Sequence, residues 1–68
     1  MSRAICDLLA TLNPGTPMEN IIINGYTVTV ENFVSFNEDA ERVVFKVSDD
    51  KFLIVDCNRI GSVEFRAL

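Results

Sequence analysis

Ile21-Ile22-Ile23-Asn24-Gly25-Tyr26-Thr27-Val28-Thr29-Val30 reads as a β-hairpin from end to end. Two runs rich in β-branched and aromatic residues flank Asn-Gly, the dipeptide that most readily supplies the two positive φ angles of a type I′ turn. The second run should continue through Phe33, Val34 and Phe36, but its alternation slips near Glu31-Asn32. A slip of one residue carries side chains to the opposite face, so a bulge or sharp bend is expected there.

Working outward, Asn37-Glu38-Asp39-Ala40-Glu41 is a polar loop and Val43 to Val47 a third strand. Ser48-Asp49-Asp50 turns the chain into a fourth strand, Phe52 to Cys57. Asn58-Arg59 makes a short turn before a last strand from Ile60 to Arg66. On the N-terminal side, Ile5, Leu8, Leu9 and Leu12 recur at helical spacing, one stripe wide. Ser2 can cap that helix, and Asn13-Pro14-Gly15 stops it. The expected fold is therefore mainly β with one N-terminal helix: a small five-stranded, strongly bent antiparallel sheet or barrel. Residues 1–68 form a single domain, with a helix over 2–12, a linker over 13–18 and the β barrel over 19–66.

Val43-Val44-Phe45 and Phe52-Leu53-Ile54-Val55 are apolar at every position. A sheet wetted on one side alternates instead, so both faces of these strands are expected to be covered. A chain of 68 residues buries only about 60% of its unfolded surface, and many domains this small gain stability by assembly. A homo-oligomer is the expectation from both arguments.

Ten Asp and Glu against six Lys and Arg leave a net charge of −4. Arg3, Arg42, Lys46, Lys51, Arg59 and Arg66 are widely spread, without the basic stripe of a general nucleic-acid binder. The sequence holds no His and only two cysteines, Cys6 and Cys57, which lack metal-ligand spacing. No bound metal or other cofactor is expected. Without a signal peptide or a membrane-length apolar stretch, the default reading is a cytoplasmic protein with both thiols reduced. A bridge between Cys6 and Cys57 is geometrically open, but nothing in the sequence asks for one.

Helix first, then strands with a long bent second one and a tiny turn before the last, resembles the Sm-like small barrel of Hfq and the Sm proteins. Phe36-Asn37-Glu38-Asp39-Ala40-Glu41-Arg42-Val43-Val44 has the spacing of the first Sm motif, and Val55-Asp56-Cys57-Asn58-Arg59-Ile60 lies over the second. In that family the motif Asn and Arg hold an RNA base. Glu41 and Asp56 stand at those places here, and only Asn58 is kept. Cys57 replaces the motif glycine, Glu31 falls at an earlier family glycine, and Hfq's Lys-His pair is absent. Acidic barrels of the Rho-inhibiting Rof type, which bind protein rather than RNA, are similar in outline.

With no His and no Cys pair at catalytic spacing, carboxylates alone are left for chemistry, and turn loops are where solvated carboxylates ordinarily lie. No enzyme activity is expected. No Asp-x-Asp-x-Asp-Gly loop is present for calcium. Cys57 beside Asp56 is expected in the core, since a neighbouring carboxylate raises a thiol's pKa. Strand phenylalanines are expected inside as well. The resulting expectation is a non-catalytic regulator or inhibitor that meets a basic protein surface through Glu38, Asp39, Glu41, Asp56 and Asn58. The alternative is an Sm-like ring binding single-stranded RNA through Tyr26, Asn58 and Arg59.

Overall fold

A computed structural model describes residues 4–67. The chain runs α1 (Ala4–Leu9), β1 (Met18–Ile23), β2 (Tyr26–Thr29), β3 (Asn32–Asn37), β4 (Arg42–Ser48), β5 (Lys51–Asp56), a 3₁₀ turn η1 (Cys57–Arg59) and β6 (Ile60–Phe65). The strands form two three-stranded antiparallel sheets, ordered β2-β1-β6 and β3-β4-β5. The fold is mainly β with one short N-terminal helix, and the sheets do not close into a barrel.

The Asn-Gly turn has the expected geometry, with φ of +51° at Asn24 and +86° at Gly25. It sets the register Ile23↔Tyr26 through Asn20↔Thr29. The expected continuous second strand is divided into β2 and β3, so the strands number six rather than five. The cause lies at Val30 and Glu31. Val30 donates its N–H to the Glu19 carbonyl of β1 (2.8 Å), whereas Glu31 donates to Lys46 of β4 (2.7 Å). In one residue the backbone changes partner and hence sheet. Met18 N–H to Glu31 O (2.9 Å) and Phe33 N–H to Thr16 O (2.9 Å) close the corner between them.

Inward side chains from both sheets meet in one core that includes Met18, Ile21, Val30, Phe33, Val43, Phe45 and Ile60. Phe33 and Phe45 pack edge to face, ring centroids 6.4 Å apart. Cys6 and Leu9 bring α1 onto this core, with Ile5 and Leu12 half-buried and Leu8 turned outward. The helix is shorter than its apolar stripe suggests. A looser turn continues to Leu12, whose N–H reaches Leu9 O at 3.2 Å. The proposed Ser2 cap lies outside the described residues.

Two expectations need correction. The cysteines are joined: Cys6 and Cys57 form a disulfide with a Cα–Cα distance of 5.3 Å, well inside the range such a bond spans. Sequence separation hid this, because the two cysteines are 51 positions apart and only the fold brings α1 against η1. Strand phenylalanines are also not uniformly internal. Phe52 is 60% exposed, Ile54 64% and Phe65 44%. Val44 pairs with Ile54 and Lys46 with Phe52, so these residues share an outer face that one chain leaves uncovered.

Candidate functional site

Asn37 and Arg42 are cross-strand partners, so the 38–41 loop is a tight connection between β3 and β4. Asn37 Oδ1 accepts from Ala40 N–H at 3.1 Å, a side-chain bond that mimics a backbone turn. Glu41 then adopts φ +56°, a left-handed conformation that non-glycine residues seldom take. That backbone turns the Glu41 carbonyl to η1, where it accepts from Cys57 N–H at 2.9 Å.

The Glu41 side chain points the same way. Asn58 Nδ2 donates to Glu41 Oε1 (3.1 Å) and to Asp56 Oδ1 (3.0 Å), and Asn58 N–H donates to the same Asp56 oxygen (2.9 Å). Glu41, Asp56 and Asn58 are thus brought together. One amide spends both of its N–H donors holding two carboxylates that would otherwise repel. The Asp56 carboxyl is held below its ordinary 3.8, chiefly by the Asn58 backbone N–H. Desolvation opposes this, and the Asn58 side chain and the charges of Arg59 and Arg42 reinforce it.

Glu38 and Asp39 sit apart from that hydrogen-bonded group but share a groove with Glu41. The groove, about 410 Å³, is lined by Cys6, Asp7, Ala10, Phe36, Glu38, Asp39 and Glu41. Its two walls are α1 and the β3–β4 loop. Four carboxylates face it, and among the described residues no Lys or Arg lines it. Sequence reasoning missed Asp7 and the helix as a wall. The signal that could have found them is the cysteine pair, since Asp7 follows Cys6 and any bridge to Cys57 carries it to the loop.

Tyr26 and Arg59 also come to one end of the molecule. The Asn24 N–H donates to Arg59 O at 3.2 Å, placing the β1–β2 turn beside η1, and Tyr26 is 77% exposed. Among the described residues, no group of three or more Cys, Asp or Glu is arranged to hold a metal ion. No helix among them is long and apolar enough to cross a membrane. No protein-family model, curated protein or solved structure matches the chain.

Proposed function

We propose that the chain is a non-catalytic, Sm-like interaction module that binds a basic protein segment in the groove between α1 and the 38–41 loop. The observation that carries this reading is the groove's lining: the carboxylates of Asp7, Glu38 and Asp39 converge there from two elements, beside Glu41. A Lys or Arg side chain entering it meets carboxylates from both walls, and charge of one sign in a concave site raises the on-rate of an oppositely charged partner. The Sm-like assignment is supported by element order. If β2 and β3 are counted as halves of one bent strand, the helix, five strands and the 3₁₀ turn before the last follow the small-barrel sequence. A regulator that occupies a nucleic-acid-binding surface suits such an acidic module.

Self-association is part of the proposal. β5 is the edge of its sheet, and it exposes Phe52 and Ile54. An apolar edge strand without proline or an inward-pointing charge invites pairing with another chain. We place the protein in the cytoplasm by composition.

The test uses a labelled Lys- and Arg-rich peptide, titrated by fluorescence anisotropy at low and high salt. Binding that weakens with salt and is lost in Glu38→Lys with Asp39→Lys supports the reading. These positions are chosen because Glu41 and Asp56 also hold structure. No binding at low salt, or undiminished binding by the variant, removes it. The exposed Tyr26, flanking the turn whose Asn24 bonds to the Arg59 carbonyl, favours a second reading, single-stranded RNA binding. It predicts instead that a U-rich or A-rich RNA binds and that Tyr26→Ala weakens it. The commitment of the Asn58 amide to Glu41 and Asp56 argues against that reading, because the amide has no N–H left for a base.

A further inference from the structure

We propose that the Cys6–Cys57 disulfide is a redox-sensitive latch that decides whether α1 stays docked. The helix has six residues, well under the ~12–15 at which an isolated helix becomes even marginally stable in water. Its order therefore comes from what it touches, which is mainly β6 and η1. Leu9 is fully buried, Ile5 and Leu12 are half-buried, and Leu8 faces outward. That is a small apolar footing, and the covalent bond to η1 completes it.

The bond lies just beneath the surface. Both cysteines are buried, yet Cys6 borders the acidic groove. Both border a second groove of about 240 Å³, formed with Ala4, Ile5, Asn58, Ile60 and Gly61. Fraying of α1 admits a reductant from either side. The thiolate of a dithiol attacks one sulfur, forms a mixed disulfide with it and expels the other cysteine as a thiolate. The reductant's second thiol then displaces the first cysteine. The protein ends with two thiols, having gained two electrons and two protons, and the dithiol ends as its own disulfide.

Release is one-sided. On the η1 side, Cys57 N–H remains bonded to Glu41 O, and Asn58 to Glu41 and Asp56, none of which involves sulfur. The turn stays with the β3–β4–β5 sheet while the helix is freed. Cys6, Asp7 and Ala10 leave with it, so one wall of the acidic groove departs and the loop wall remains. The inference concerns the docking of α1 and stands whether or not the groove receives a basic partner.

Hydrogen exchange on the full chain, oxidised and after dithiothreitol, tests it. The amides of Ala10, Thr11 and Leu12, which bond back into the helix, are expected to exchange at least about tenfold faster on reduction. The amides of Val43 and Phe45 in β4 are expected to hold their rates. Equal protection of α1 in both states overturns the latch. Loss of protection throughout β4 and β5 also overturns it, since the bond would then be a staple for the whole fold. Cys6→Ser with Cys57→Ser should copy the reduced chain and ignore the reductant. A response to reductant in that variant, or two free thiols in the air-oxidised protein by mass spectrometry, counts equally against it.

Discussion

The outer faces of the two sheets differ in kind. On the β2-β1-β6 sheet, Glu64, Asn20 and Thr29 form a ladder: Asn20 Nδ2 donates to Glu64 Oε1 (2.9 Å), and Thr29 Oγ1 donates to Asn20 Oδ1 (2.8 Å). Ile22 joins this face between Thr27 and Ser62. On the β3-β4-β5 sheet the corresponding strip carries Val44, Phe52 and Ile54, with Lys46 the one charged residue between them. The inner faces, by contrast, contribute alike to one core. A face that satisfies its side chains locally is finished as a water surface. A face that leaves two large apolar side chains mostly exposed at a sheet edge is suited to a second molecule.

The largest effect should come from the inner faces, where the two sheets are equivalent. Phe45→Ala is expected to cost about 3–5 kcal/mol and Ile21→Ala about 2–5 kcal/mol in urea denaturation. A loss below about 1 kcal/mol at either site would mean that the core does not join both sheets.

Next in size is the contrast between the outer faces. Phe52→Lys with Ile54→Lys should reduce the species seen by light scattering to a single chain, with little change in the chain's own stability. Thr27→Lys with Thr29→Lys, on the polar sheet, should leave assembly as it was. Monomeric wild-type protein at high concentration would end the argument from the β5 face.

A glycine pair sharpens the comparison within the first sheet. Gly25→Ala puts a Cβ on a residue at φ +86° and is expected to cost about 1–2 kcal/mol, although the space around it is open. Gly61→Ala meets only Ile22 at 3.8 Å, so a slight gain of about 0.5 kcal/mol is expected from the stiffer unfolded chain. Thermal melts that rank the two the other way would contradict the turn geometry.

The smallest effect concerns Asp56. Its carboxyl titrates below the ordinary 3.8, so its contribution is fully present above that pH and is lost as pH falls through the lower folded value. The urea midpoints of wild type and Asp56→Asn should differ by a constant amount above pH 3.8 and converge below it. A gap that widens on acidification would reverse the assigned sign.

The β1–β2 hairpin was legible because Asn24-Gly25 encodes its own geometry, with no need of distant residues. The slip at Glu31 was visible too, since alternation is local, but not its meaning. A broken period does not say whether a strand bends or changes sheet, and the backbone bonds of Val30 and Glu31 decide that. The convergence of Glu41, Asp56 and Asn58 had no local signal in the sequence, because the hydrogen bonds that join them cross from the β3–β4 loop to η1. Nor did the groove, because Asp7 reaches it only through a contact across the whole chain. Phe52 and Ile54 show the limit of composition: an all-apolar run reads as buried on both faces, yet one face of β5 is exposed in the folded chain. The disulfide was not legible, because two cysteines 51 positions apart carry no framework pattern and meet only through the fold.

Joining residue 6 to residue 57 gives the molecule the covalent topology of a ring with two short tails. The Asn-Gly turn, the 38–41 loop and the Asp49-Asp50 turn all lie within the ring. A single protease cut at any of them opens the ring without dividing the oxidised molecule. On a denaturing gel the nicked protein runs as one species until a reductant is added, and then as two fragments.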